Sequence, residues 1–407
     1  MSSFVSLGMV TKESLRKLEN ELTFTRLVNK EYSKVFGQSP KVGYTINVRK
    51  PVRFTNSNGQ ALILQDITEQ TVPVVLNKQY QRSFAVSSAD FETTIEMFSE
   101  RYISPAMISM ANEIDYDGLA QFKNIANEVG TPGTVPTNTS TYLAALALLQ
   151  KEAAPTDDLN LVISPDMNAS IVQNMQGLFN PQVQLSDMWR KGLMARKTVG
   201  FNWYMDQNVN IQTVGPQGGT PTVNATAGQI GSSVVTTGWT AAVGKRLNKG
   251  DVIQFAGVNG VNPQNRQSYG RLRDFEVTSD FFSDASGNGT ISISPAIIPG
   301  NADGTNTAYQ NVTNGPAANA AITINGVAGT ATPRGLAFHK DAFTFATADL
   351  PLWKGTDMMD RKVDPDIQVS MRVWRDGDIN LDRAVLRTDV LGGWTTLYPE
   401  LAVRIAS

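Results

Sequence analysis

Apolar positions along the chain change period several times, and each change predicts an element. After Met9, Leu15, Leu18 and Leu22 recur at spacings of three and four, with Lys12, Arg16, Lys17 and Glu19 on the other faces. This predicts an amphipathic helix that Thr11 can cap and that Gly37 and Pro40 end. From Tyr44 the period drops to two: Tyr44, Ile46 and Val48 alternate with Thr45, Asn47 and Arg49. A turn at Thr55–Gly59, where Asn58-Gly59 suits positive backbone angles, and a return through Leu62, Leu64, Val72, Val74 and Leu76 complete a long ribbon. Pro51 and Pro73 belong on sheet edges, and two strands alone are marginal in water. The ribbon's expected partner is therefore another chain.

A third strand at Tyr80–Val86 leads into a helical face traced by Phe91, Ile95, Phe98 and Tyr102, with Ser88 as its cap. Pro105 interrupts or kinks that helix, and the pattern resumes through Leu119, Phe122, Ala126 and Val129 up to Gly130. Tyr142–Glu152 reads as an alanine-rich helix and Leu159–Ile163 as a buried strand, with Pro165 opening a helix near Ser170–Leu178. From Asn208 to Pro333 the composition shifts: the segment holds 18 of the 33 glycines but 12 of the 72 charged residues. Short β-rich pieces recur there between turns, at Val252–Phe255, Phe275–Thr278, Ile291–Ser294 and Ile322–Ile324. A self-contained β domain inserted into an α+β body is the simplest arrangement. Beyond it, Leu336–Phe345 reads as a strand with a turn, and Ile367, Val369, Met371 and Val373 alternate. Asp376-Gly377 signals a hairpin, and apolar stretches surround Leu386 and Leu401. No period of 20 to 50 residues marks a repeat array.

Composition narrows the chemistry. With 407 residues and 41% apolar content the chain can bury a core without staples. Cysteine is absent, which excludes thiol nucleophiles, iron–sulfur clusters, Cys-ligated zinc and disulfides. The formal net charge of −2 is far from the basic footprint of a protein that grips nucleic acid by its own charge. The N-terminus lacks the basic start and apolar run of a signal peptide. The longest aliphatic run, Tyr142–Leu149, is far short of the roughly 20 residues a membrane helix needs. A chain made in a cytoplasm and without membrane contact is expected.

Few residues invite catalysis. His339 is the one histidine, and in a strand Asp341 would share its face, yet no nucleophile elbow accompanies the pair. A structural histidine is the favoured reading. Asp376, Asp378, Asn380 and Asp382 alternate like calcium ligands, but Leu381 stands where the loop needs glycine and no glutamate closes it, so a hairpin turn is favoured. Gly244-Lys245-Arg246 lacks the residues of a phosphate-binding loop. No catalytic residue, cofactor or metal site is expected. Arg49, Lys50 and Arg53 are the densest basic group on the ribbon, either a solvated edge guarded by charge or contacts to acidic groups of a neighbour.

Three stretches carry a family likeness: Lys249-Gly-Asp-Val-Ile-Gln-Phe-Ala-Gly-Val258, Leu336-Ala-Phe-His-Lys-Asp-Ala-Phe343, and Arg387-Thr-Asp-Val-Leu-Gly-Gly-Trp394 followed by Tyr398-Pro-Glu-Leu-Ala-Val-Arg-Ile405. In this order, and with this succession of elements, the chain resembles the major capsid proteins of tailed double-stranded DNA bacteriophages. These have the Hong Kong 97-type α+β fold, and the likeness is nearest to podophage coat proteins with an inserted all-β barrel. The resemblance implies an N-terminal arm at 1–40 and an extended loop at 41–87. It further implies a peripheral domain with a spine helix at 88–135, an axial domain at 136–207, an inserted barrel at 208–333, and a return through both domains at 334–407. It implies pentamers and hexamers of an icosahedral shell around phage DNA held without sequence-specific binding. A scaffolding protein and a portal are the implied partners, with assembly in the host cytoplasm and residence in the virion. Inter-subunit contacts are expected at Leu15, Leu18, Leu22, Arg49, Lys50, Arg53 and Asn58. A carbohydrate- or receptor-binding virion surface protein is the alternative raised by the polar, glycine-rich segment 208–333, and a hydrolase using His339 is the third reading.

Overall fold

The computed structural model describes residues 7–38, 45–55, 60, 64–65, 67–87, 98–174, 197–301, 307–353, 358–378, 380–381 and 383–407. The expectations at Tyr44, Asn58, Leu62, Ser88, Phe91, Ile95 and Leu178 lie outside the described residues. The chain divides into two compact units, one formed by residues 1–49, 71–119 and 343–397, the other by 50–70, 120–342 and 398–407. Among the described residues no helix is long and apolar enough to cross a membrane.

The first unit is organised on the strand Arg383–Thr396, which is long enough to serve three neighbours. Its first part pairs with Lys78–Ser87 on one side and with Ser370–Asp378 on the other, and its last part pairs with Phe343–Ala348. Met359–Val363 extends the antiparallel sheet beyond Ser370–Asp378. Met371, Val373, Leu386 and Val390 are buried, as the alternation requires of a sheet with a covered face. Asp389 is also fully buried, and two guanidiniums satisfy it: Arg372 Nη2 at 2.6 Å and Arg387 Nε at 2.8 Å. Asp376-Gly377 does not make the turn. Both residues lie within the strand, opposite Val385 and Ala384, and the hairpin reverses between Asp378 and Arg383.

The leading helix spans Leu7–Glu21, and Thr11 lies inside it, its hydroxyl donating to the Leu7 carbonyl one turn back instead of capping. It also stops well before Gly37. The short helices Phe24–Leu27 and Ser33–Gln38 follow, and the break has a cause in another element. Asp115, buried on the helix Ser104–Leu119, accepts from Thr23 N at 2.7 Å, Phe24 N at 3.1 Å, Thr25 N at 3.0 Å and Thr25 Oγ1 at 2.6 Å. One carboxylate thus caps a helix start 90 residues away in sequence. Pro105 does not break its helix either. A π-helical turn at Ser99–Ile103 runs directly into Ser104–Leu119, and its wider winding accommodates a ring that would clash with the carbonyl four residues back. The resumed pattern ends sooner than its periodicity suggests: a 3-10 turn at Ala120–Asn124 is followed by a strand at Glu128–Val129.

The second unit contains a mixed sheet in the order Glu128–Val129, Ala402–Ala406, Ala331–His339, Leu159–Ile163, Phe201–Met205, Lys197–Thr198. Leu159–Ile163 and Ala402–Ala406 are buried at every residue, which explains why each is apolar but for one position, Asn160 in the first and Arg404 in the second. Tyr142 and Leu149 from the helix Thr139–Lys151, and Met167 and Ile171 from Pro165–Asn174, pack with Trp203, Val403 and Ile405. Asn138 caps the first of these helices through Ser140 N, and Ser164 Oγ accepts from Met167 N at the start of the second, where Pro165 needs no donor.

The all-β insertion grows from this sheet. Ile211–Thr213 pairs antiparallel with Ala331–Pro333, so the outgoing and returning strands lie side by side. Between them a six-stranded sheet runs Ile322–Ile324, Val252–Phe255, Phe275–Val277, Gly289–Ile297, Gly231–Trp239, Gly219–Val223. A bridge from Thr222 to Ala321 brings its two edges together, giving a nearly closed barrel. Gly238, at φ +80°, carries the register shift between Thr237 and Trp239, where a Cβ would meet the Thr220 carbonyl. The barrel's hydrophobic cluster is drawn wholly from residues between Val223 and Ile322.

In the first unit, Phe24 packs tilted at 5.3 Å from Trp394 and edge-on at 5.7 Å from Phe343, and Gly118 lies against the Phe24 and Trp394 rings. A Cβ there would approach Trp394 Cζ2 to 2.5 Å and Phe24 Cδ1 to 2.7 Å. Gly118→Ala is therefore expected to destabilise the chain by roughly 1–3 kcal/mol through overpacking, despite alanine's better helix propensity. Denaturant melts of the two forms measure it, and an unchanged midpoint would refute the steric account.

Candidate functional site

The densest chemistry in the second unit lies where the barrel meets the sheet that carries it. Arg404 stands alone among apolar neighbours in the strand Ala402–Ala406 and is fully buried. Its Nη1 donates to the Gly250 carbonyl of the barrel at 2.6 Å, and its guanidinium lies 5.8 Å from the Phe122 ring. Glu128, opposite it in the sheet, lies 3.8 Å from Arg404 Nε and 3.5 Å from Arg334 Nε. Asn325 Nδ2 donates to Glu128 at 3.1 Å, and Arg334 also donates to Thr332 Oγ1. Asp274 receives Glu128 N, Arg271 Nη2 and Gln254 Nε2. Asp251 receives Gly215 N, Asn248 N and Gln212 Nε2 at 2.8–3.0 Å.

A second joint lies at the end of the helix Thr139–Lys151. Buried Glu152 pairs with buried Arg273, Tyr269 Oη donates to Glu152 Oε1 at 2.9 Å, and Asn262 Nδ2 donates to the Lys151 carbonyl at 2.7 Å. Burial works against the Arg273 charge, but Glu152 and Tyr269 hold its pKa above the ordinary value.

Burial dominates the acids of the seam. It raises Glu128 against the opposing pull of Arg404 and Arg334, and raises Asp251 against its backbone donors from Asn248 and Gly215. Glu276, in the barrel strand Phe275–Val277, is pushed up to about 8 by burial, with Arg404 and Lys249 only partly offsetting it, and its Oε2 has no hydrogen-bond partner. None of these groups is arranged around a reacting atom. Glu276 apart, their chemistry is adhesive: charges removed from water and paired across a joint.

The residues chosen from the sequence have mixed fates. Leu15, Leu18 and Leu22 are buried in the core of the first unit. The helix's apolar stripe lies against Ser104–Leu119 and the strands Met359–Val363 and Ser370–Asp378 of its own chain. Arg49 is exposed at the end of the hairpin strand Thr45–Arg49, which pairs with Thr71–Val75. Lys50 Nζ stands 5.1 Å from the Tyr398 ring, and Arg53 pairs with Glu400 at 2.9 Å, both on their own chain. Asn58 lies outside the described residues. His339 ends a strand, buried, where its Nδ1 accepts from Asp341 N at 3.4 Å across the turn Lys340–Ala342. Of the calcium-like pattern, Asp376 and Asp378 lie in the strand Ser370–Asp378, and Asp382 lies outside the described residues. Glu19, Asp364 and Asp366 bring carboxylate oxygens within 4.8 Å of one another, but Asp364 Oδ1 already receives the backbone N–H groups of Asp366 and Ile367.

The seam itself escaped the sequence reading. A lone arginine inside Leu401-Ala-Val-Arg404-Ile-Ala406, an otherwise apolar strand, was the available signal, since such a charge must find acceptors.

The fold is a mixed α+β chain carrying an inserted barrel. A profile of the family described as P22 coat protein, gene protein 5, matches residues 9–405, and the chain belongs to this family. It is a major capsid protein, a structural component of a bacteriophage's icosahedral shell. No curated protein sequence matches it. Among solved structures it is similar to one of Mycobacterium phage Che8, at 11% identity over 95% of this chain and 92% of that one, with a TM-score of 0.48. It is similar to the capsid of Cyanophage P-SCSP1u at 11% identity over 95% and 88%, with a TM-score of 0.46. The I-domain of the CUS-3 coat protein matches 28% of this chain over 95% of its own length, at 28% identity and a TM-score of 0.17.

Two outcomes test the seam. Arg404→Met removes one of the two buried cations beside Glu128, leaving Arg334, and frees the Gly250 carbonyl; it is expected to cost about 3 kcal/mol in denaturant unfolding, part of it regained by Arg404→Met with Glu128→Gln. Glu276 has the opposite sign. Because its folded pKa is raised, the native state keeps a proton that the unfolded chain gives up, and stability falls as pH rises from about 4.5 to about 8. The slope approaches about 1.4 kcal/mol per pH unit. Glu276→Gln should remove it, stabilising the chain more at pH 8 than at pH 5. Parallel curves for the two proteins at both pH values would rule this out.

Proposed function

We propose that this capsid protein assembles as pentamers and hexamers around packaged double-stranded DNA, in the cytoplasm of a bacterial host, with the loop at 50–70 overlapping a neighbouring subunit. The observation that carries the reading is the loop's surface: Phe54, Leu64 and Ile67 are 58%, 85% and 68% exposed. Three large apolar side chains in water on one loop gain free energy when a second surface covers them. The loop is held in shape by a reciprocal pair, Thr55 N to Gln65 Oε1 at 2.8 Å and Gln65 Nε2 to the Thr55 carbonyl at 2.6 Å. Arg49, Lys50, Arg53 and Asn58 then flank the contact and set its register. In this reading residues 1–40 are the arm, 41–87 the extended loop, 88–135 the peripheral domain, 136–207 the axial domain and 208–333 the inserted barrel, with 334–407 completing the body. A scaffolding protein and a portal direct closure, and a net charge of −2 keeps the shell from gripping its genome tightly.

The chain expressed with its scaffold is expected to give closed shells, or rings of five and six, in negative-stain micrographs. The triple change Phe54→Ser, Leu64→Ser, Ile67→Ser should leave the melting temperature of the unassembled subunit in place and sharply reduce the yield of shells. A chain that stays monomeric at every concentration, or a triple variant that assembles as well as its parent, would defeat the proposal.

A further inference from the structure

A cleft of about 520 Å³ opens in the second unit where Lys50 and Gln70, at the two ends of the loop, meet the Tyr398–Leu401 turn and the barrel. This is the size of an ordinary ligand site. Its walls include the rings of Tyr309 and Tyr398 and the pyrrolidines of Pro51, Pro295 and Pro399. Tyr309 is fixed in place, its hydroxyl donating to the Thr68 carbonyl at 2.7 Å.

Three lining groups are left unsatisfied by the chain itself. Lys50 is partly buried against Tyr398, and among the described residues no carboxylate comes within ion-pairing distance of it; Glu400 is engaged by Arg53 instead. Burial accordingly pushes the Lys50 ammonium below its ordinary pKa, with Arg53 acting the same way and Glu400 opposing. Gln310 is 6% exposed; its Nε2 donates to the Val312 carbonyl, and its Oε1 has no donor. Arg273 is 5% exposed; its Nη1 is held by Glu152 and Tyr269, and its Nε has no acceptor. The cleft therefore lacks one buried donor, one buried acceptor and one anion, and leaving such groups unmatched is expensive.

A polypeptide supplies the first two from its own backbone at every residue, and a side-chain carboxylate supplies the third. Proline and tyrosine rings are the surfaces on which extended chains lie. We propose that this cleft docks an extended acidic segment of a partner protein, its carboxylate on Lys50 and its backbone on Gln310 Oε1 and Arg273 Nε. The site is built from one chain's side chains and so stands whether or not the shell reading does.

The test uses the full, unassembled chain and three probes in titration calorimetry: acetyl-Ala-Pro-Asp-Asp-Leu-amide, the same peptide with Asn for both Asp, and sodium succinate. The acidic peptide should bind saturably, and the Asn peptide at least about tenfold more weakly. Lys50→Met should weaken the acidic peptide by a similar factor at unchanged melting temperature, and Lys50→Arg should restore it. Absence of saturable heat from the acidic peptide, equal binding of the Asn peptide, or indifference to Lys50→Met would overturn the proposal. Succinate binding as tightly as the acidic peptide would also overturn it, in favour of a small-anion site.

Discussion

A guanidinium buried in the middle of an apolar strand needs an opposing charge, and Arg404 answers that need with one hydrogen bond to the barrel and an ion pair to Glu128, its Nε and Nη2 making no hydrogen bond. Its strand is flanked on both sides, which brings Glu128 opposite it and leaves the barrel's Gly250 carbonyl as the remaining acceptor. Were the barrel to shift, the charge would lose a hydrogen bond without gaining water, a penalty of several kcal/mol. The pairing of Glu152 with Arg273 fixes a second point, so the barrel is held in orientation as well as position. Hydrophobic burial alone would favour contact and leave the angle loose. Directional, desolvated pairs remove that freedom.

The first unit applies the same logic with a carboxylate. Asp115 gathers three backbone N–H groups and a hydroxyl at the start of the Phe24–Leu27 helix, and so fixes where the leading segment turns. That turn carries Phe24 onto Trp394 and Phe343, where Gly118 leaves room for the rings. A local cap, an aromatic cluster and a sheet are thereby linked through one carboxyl side chain.

Much of the architecture was legible from period and punctuation. The helix before Glu152, the buried strand Leu159–Ile163, the helix opened by Pro165 and the inserted barrel all follow from local patterns that burial then reinforces. Failures came where a distant group overrode a local one. Thr11 looked like a cap because hydroxyls usually cap, yet the helix begins earlier and uses it internally. The break after Leu22 is set by Asp115, which no window around Leu22 contains. Leu15, Leu18 and Leu22 form an apolar stripe whose periodicity is indifferent to whether its cover is intramolecular, and here it is. The charged seam was invisible for a related reason: Glu128, Arg334 and Arg404 meet only once the strands have paired.

The side-by-side departure and return of the barrel, at Ile211–Thr213 and Ala331–Pro333, has a mechanical corollary. A pull on the barrel meets that short ladder end-on and parts it one bond at a time. The load then passes to Arg334–Phe338, which is gripped by Leu159–Ile163 on one side and Ala402–Ala406 on the other. There the force runs along the strand and must shear both ladders together. The short ladder is thus backed by a strand paired on both sides, and a tug on the barrel also loads the Arg404–Gly250 and Glu152–Arg273 contacts.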